Sequence, residues 1–172
     1  MSKGDAASRN DFGTLGGLAR RLSDPHFPTG DHAALRRMDP RAPGRSALAL
    51  HRLMASVGLD VGGEMASRWG LVVHCLALAR GAHSKDLRTG TVLHDLPLTE
   101  LRLNQLLAAD QEVMFDLLPS LARRLAAQGA TIDWAPLAML ALYGDQDIGD
   151  RSRLDIARAY ARAANSISRE TP

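Results

Sequence analysis

The residues of this chain that can do chemistry are its arginines. Only Lys3 and Lys85 among the 21 cationic side chains are lysine. A guanidinium is a planar fork of donors that matches a phosphate and stacks on bases. A GC-rich genome would leave the same bias, so composition alone does not assign a partner. Position says more. Arg36 and Arg37 follow Ala33, Ala34 and Leu35, and if Leu35 and Met38 face a core, at least one arginine must point outward. Arg52 interrupts an apolar helix face. Arg102 lies on a polar face with Thr99 and Gln105, opposite Leu103 and Leu106. Arg123 and Arg124 flank a leucine stripe. Arg80, Lys85 and Arg88 edge a loop that also holds His83. Arg151 and Arg153 fall in the expected first turn of the last helix, where a cation is unfavourable and hints at an external anion. Against each stands a plainer reading, a solvated face or an internal salt bridge, as between Arg102 and Glu100 or Asp110.

Other site chemistries find little support. No phosphate-cradling glycine motif is present. The six histidines are scattered, and His74 and Cys75, being adjacent on a helix, cannot converge on one ion. His74 reads as a packed histidine, and Cys75 as a buried, inert thiol. No enzyme activity, cofactor or metal is expected. The lone cysteine gives no disulfide framework. The chain opens on polar residues without a signal peptide, and Leu71–Ala79 is too short to span a bilayer, which needs about 20 residues. A cytoplasmic protein with no membrane partner is expected.

Net charge is +2, but it is unevenly spread. Residues 1–90 carry 13 Lys and Arg against 8 Asp and Glu, and residues 91–172 carry 8 against 11, giving +5 and −3. One molecule can therefore present a basic and an acidic face.

The elements that must position the arginines read as all-α. The chain is 45% hydrophobic and 4% aromatic, so leucine and alanine must fill the core. Residues 1–12 read as loose, Leu15–Leu22 as a short helix, and 23–30 as a loop. Asp31 caps a helix over about 32–38 that ends before Pro40. Ser46 caps another to about Val57. Glu64–Arg80 follows, apolar all round in its second half as a buried helix should be. Thr99 opens a helix to about Ala109. Glu112–Gln128 carries the i, i+3, i+4, i+7 stripe, with Pro119 expected to kink or split it and Gly129 to stop it. Asp133 caps the apolar Trp134–Tyr143, with Pro136 in its first turn. Residues 144–149 form an acidic loop, and Asp150 caps a helix to about Asn165. The expected organisation is two small helical bundles: a loose 1–30, an N-terminal subdomain 31–80, a basic connecting loop 81–97, and a C-terminal subdomain 98–165.

Taken in order, these segments carry a resemblance. Asp31-x-x-x-Leu35-Arg36-Arg37, His51-Arg52-Leu53, Leu98-Thr-Glu-Leu-Arg102-Leu-x-Gln-Leu-Leu-x-x-Asp110, Arg123-Arg124-Leu125 and Asp133-Trp134 together resemble the CasB family. This is the small subunit of the type I-E CRISPR surveillance complex, Cascade. The likeness covers about 31–164. It implies a non-catalytic all-helical subunit that assembles with the other Cascade subunits, a second copy of itself, guide RNA and target DNA. Its basic residues would hold the target and displaced strands and stabilise the R-loop. Arg36 and Arg37, Arg52, Arg102, and Arg123 and Arg124 match the family's basic positions. The chain departs from the family at Ala108-Ala109 and at Asp145-Gln146-Asp147, where members can be basic; the loop from Arg80 to Arg88 is placed to compensate. Two other readings are a helical regulator of duplex DNA and a protein-only adaptor. The first needs a polar recognition helix, and the helix after Asp133 is apolar.

Overall fold

The structure, a computed structural model, describes residues 3–96 and 98–170, with side chains from 10 to 96 and 98 to 166. Nine α-helices and no strand are found among these residues: α1 Lys3–Ser23, α2 Thr29–Arg37, α3 Ala47–Ser56, α4 Gly63–Leu78, α5 Thr89–Asp95, α6 Glu100–Ala108, α7 Gln111–Ala127, α8 Ala135–Tyr143 and α9 Asp147–Glu170. The all-α expectation is met. The main difference lies at the N-terminus, where the expected loose segment and short helix are one long helix. Its buried stripe is Asp11, Leu15, Leu18 and Leu22. Asp11 disguised the first turn of that stripe, because a carboxylate on an apolar face reads as a break. Its Oδ2 accepts a hydrogen bond from the Tyr143 hydroxyl at 2.7 Å. Burial raises the Asp11 pKa, and burial followed by the Asp11 bond pushes the Tyr143 hydroxyl up to about 12.

The central element is α4. Every residue from Arg68 to Leu78 is buried, and the helix packs against α1, α2, α7 and α8. Helices on both sides of 81–97 thus share one hydrophobic cluster, running from Leu15 to Ile156. The segment 81–97 is itself partly helical, since α5 lies within it. At Gly90 the backbones of α5 and α9 nearly touch: a Cβ there would stand 2.1 Å from the Ile156 carbonyl oxygen. Only glycine fits that approach.

Helix ends follow local chemistry. Thr99 caps α6 through the Arg102 amide, and Asp110 caps α7 through the Val113 amide at 2.9 Å. Asp133 Oδ1 accepts from the Ala135 amide at 2.9 Å. α7 is unbroken at Pro119, which lies on its buried side, so tertiary packing outweighs the lost backbone bond. α9 starts at Asp147, so Asp150 is in the helix rather than capping it, and Arg151 and Arg153 lie beyond the first turn. Their presumed clash with the helix dipole does not arise.

α8 is apolar on all sides and buried from Leu137 to Leu142. Its C-terminal carbonyls have no intrahelical partners, and side chains from three other helices supply the donors. Gln111 Nε2 donates to Ala141 O at 2.7 Å, Arg68 Nη1 to Leu142 O at 2.6 Å, and Arg153 Nη1 to Gly144 O at 2.6 Å. Arg153 Nε also donates to Leu107 O at 2.7 Å. Arg68→Met keeps the aliphatic packing but removes the donor from Leu142. It should cost about 1–3 kcal/mol, the penalty for a buried unpaired carbonyl, read as a lower urea midpoint with unchanged slope. A loss under about 0.5 kcal/mol would mean the carbonyl is satisfied without Arg68.

His74 gives a pH dependence. It is buried, its Nδ1 lies 2.8 Å from the Leu35 carbonyl oxygen, and burial lowers its pKa from 6.5 against the opposing effect of that bond. The folded state therefore takes up a proton less readily than the unfolded state. Stability should be full above pH 6.5 and fall as pH drops from there towards the folded pKa, with the unfolded chain binding the extra proton. Urea titrations between pH 7.5 and 5 test this, and a His74→Gln variant should lose part of the slope.

Candidate nucleic-acid interface

Arg36 and Arg80 meet at one hollow, and Arg123 stands on α7, the helix whose Ala126 and Ala127 line that hollow. Arg36 is in the last turn of α2, Arg80 follows the end of α4, and Arg123 is exposed on α7. Arg36 and Arg80 together rim a hollow of about 550 Å³ whose floor includes Leu78, Ala82, Ala126 and Ala130. They also border a second hollow of about 340 Å³ with Phe27 and His32. Arg123 stands one helical turn before Ala126 and Ala127 on the same helix. The field of these cations is felt by neighbouring histidines. The His32 pKa is lowered by burial first, then by Arg36 and Arg80. Arg123 adds to the lowering at His74.

Arg80 has an unusual backbone. It is the one non-glycine residue with positive φ among the described residues, at 54°. The Arg80 amide bonds to Ala77 O at 3.2 Å and the Gly81 amide to Leu76 O at 2.8 Å. This is the paired-bond helix ending that usually places glycine in the left-handed position. α7 ends the same way with Gly129 there, at φ 62°. At the end of α4 the position is held by an exposed arginine.

The remaining predicted residues separate into groups. Arg37 folds back on its own helix, with Nε donating to Ala33 O at 3.2 Å. Arg102 and Arg124 line a groove of about 260 Å³ between α6 and α7, alongside Gln105 and Ser120. Arg124 is half-buried there. Successive residues on a helix point about 100° apart, so Arg123 and Arg124 serve different sides of α7. Lys85 and Arg88 are exposed in the 81–88 loop and share a cleft with Arg158 and Arg162 of α9. Arg52 pairs with Asp31 at 3.4 Å. Arg151 is exposed. Arg153 is engaged by carbonyls and by Asp150 at 2.9 Å, so its donors face inward and serve the fold.

Sequence reading missed four arginines. Arg41 bonds Asp116 at 3.1 Å and Glu112 O at 2.9 Å and lies 4.9 Å over the Phe115 ring. Its pKa is raised first by the Asp116 bond. Arg68 is buried and paired with Glu64. The distant partners of both, on α7 and at the end of α8, are invisible to local pattern. Arg158 and Arg162 could have been found, since their i, i+4 spacing puts them on one face of α9. Among the described residues no group of three His, Cys, Asp or Glu could hold a metal ion, and no helix is long and apolar enough to cross a membrane.

The family model for CRISPR-associated protein Cse2 matches residues 31–160, from the start of α2 well into α9. The chain belongs to the Cse2 family. Cse2 is the CasB small subunit of type I-E Cascade, so this chain is a Cascade subunit of CRISPR defence. Neither the curated proteins nor the solved structures gave a match. The Cse2 match includes Arg36, Arg80, Arg102 and Arg123; all of α1 and the end of α9 lie outside it.

Two measurements test the local geometry. Arg80→Gly should raise stability by about 1 kcal/mol, the strain of a left-handed non-glycine residue, seen as a higher melting temperature; a destabilised variant would contradict the strained turn. Replacing Arg36 and Arg80 with Gln should raise the His32 pKa towards 6.5 in an NMR titration, and an unmoved His32 would place the two charges elsewhere.

Proposed function

We propose that this Cascade subunit holds DNA strands by their phosphates, with Arg36, Arg80 and Arg123 as the centre of the contact surface. One observation carries the reading. These three residues, from three different helices or helix ends, are exposed, and their guanidiniums have no hydrogen bond or ion pair with any described side chain or backbone group. Elsewhere in the chain Arg41, Arg68 and Arg153 are matched to carboxylates and carbonyls inside the protein. Unmatched arginine in a cluster repels itself, and a polyanion relieves that cost. Arg102, in the α6–α7 groove, extends the surface around α7.

The physical mechanism is positioning. Guide RNA pairing supplies sequence, so the protein needs only phosphates and shape. Replacing one duplex by another is nearly balanced in free energy, and added backbone contacts tip it. Each arginine that neutralises a phosphate releases counterions. The low aromatic content, 4%, favours phosphate contact over base stacking. The unequal halves, +5 and −3, allow two copies to attract end to end, consistent with paired copies in one complex. The subunit acts by holding strands rather than by transforming them. A duplex-DNA regulator is disfavoured, because the α8 face that would have to enter a groove is buried.

The test is a triple Arg36→Gln, Arg80→Gln, Arg123→Gln chain co-expressed with the other Cascade subunits. The complex should assemble, yet form R-loops with lower affinity by a similar factor on every matched target, since phosphate contacts position without specifying. Parental affinity at physiological salt would remove these arginines from the interface. Selective loss on some sequences would point to base readout instead.

A further inference from the structure

Lys85 and Arg88 lie on the loop before α5, and Arg158 and Arg162 lie one turn apart on α9. All four line one cleft of about 320 Å³, with Asp133 and Asp155 as its acidic members. Four cations against two carboxylates leave a net +2 in the cleft. Asp133 is already engaged: its Oδ1 accepts from the Ala135 amide and stands 3.6 Å from His83 Nδ1. None of the four cationic side chains makes an ion pair or hydrogen bond with a described residue. The walls are fixed rather than adaptable. Gly90 lets α5 lie directly on the α9 backbone at Ile156 and Tyr160, and Thr89 Oγ1 donates to Asp133 O at 2.7 Å.

The cleft continues the surface around Arg36 and Arg80. Residues 82–84 are tied to 132–134: His83 pairs with Ile132 as an isolated parallel bridge, the Ser84 amide donates to Ile132 O at 3.1 Å, and Trp134 Nε1 donates to Ala82 O at 3.0 Å. At one end of this pairing, Ala82 and Ala130 line the Arg36 and Arg80 hollow. At the other, Lys85 and Asp133 line the α5–α9 cleft. Three Cα–Cα steps lead from Ala82 to Lys85, at most about 11 Å. One extended polyanion can therefore run from the first hollow into the second.

We infer that Lys85, Arg88, Arg158 and Arg162 form a second phosphate-binding site, which takes the backbone of the same nucleic-acid strand as it leaves Arg36 and Arg80. Three of its four cations are arginines, suited to phosphate oxygens. Continuity with the first hollow favours a strand over an acidic protein segment. The inference rests on the proposed function for its ligand class and adds Arg158 and Arg162 as contacts.

The test uses the full chain and a 20-nucleotide oligodeoxythymidylate, titrated from 50 to 200 mM salt. Arg158→Gln with Arg162→Gln should weaken binding and flatten the plot of log affinity against log salt by about 1.4, or about 0.7 per lost contact on a single strand. Both side chains are exposed, so helix content by circular dichroism should not change. A second variant, Arg36→Gln with Arg80→Gln, separates the two claims. If it weakens binding while the α9 variant matches the parent in affinity and slope, the second site is wrong and the proposed function stands. If neither variant changes binding, both fail. If the α9 variant leaves DNA binding intact but loosens self-association in sedimentation, the cleft takes an acidic segment of a second copy, and the phosphate assignment is overturned.

Discussion

A helix that is apolar on every side must be buried, and a buried helix must find donors for its last carbonyls. α8 meets that constraint with side chains from α7, α4 and α9, through Gln111, Arg68 and Arg153. An unpaired carbonyl in that position would cost about 1–3 kcal/mol, so these bonds fix where three other helices start, pass or turn. α4 is held at its middle by Arg68, and its far end delivers Arg80. α7 is held at its first residue and delivers Arg123 further along. The arginines that face outward are carried by helices that other polar side chains hold in place.

The chain thus uses arginine in two ways. Arg41, Arg68 and Arg153 reach partners far away in sequence and tie elements together, where a planar fork satisfies several acceptors at once. Arg36, Arg80 and Arg123 have no such partner among the described residues. Arg80 shows the distinction most sharply. The end of α4 needs a left-handed residue, and glycine would adopt that conformation without strain, as Gly129 does after α7. A strained residue kept at a surface position points to a use for its side chain.

Much of this was legible in the sequence because it is local. Leucine periodicity predicts α6 and α7, the second half of α4 reads as buried because it is apolar all round, and Thr99 and Asp133 mark helix starts through their short polar side chains. α8 was recognisable as buried because it has no polar face. The failures are non-local. α1 was underestimated because Asp11 sits on its apolar stripe, sensible only once Tyr143 is opposite it. Arg153 reads from sequence as an anion ligand because the pattern starts α9 too late; its two carbonyl partners, Leu107 and Gly144, lie outside that helix. Arg36 and Arg80 are 44 residues apart in numbering, and only the packing of α2 on α4 brings them to one rim. Family resemblance named the basic positions, but it could not say which of them the fold itself consumes.

Arginine-selective labelling of the assembled Cascade complex, with phenylglyoxal and mass spectrometry, tests the central division most directly. Reactivity would be compared before and after matched target DNA is bound. Arg36, Arg80 and Arg123 should be reactive in the DNA-free complex and become protected with target, while Arg68 stays unreactive in both states. Equal reactivity of Arg36, Arg80 and Arg123 with and without DNA would contradict that division.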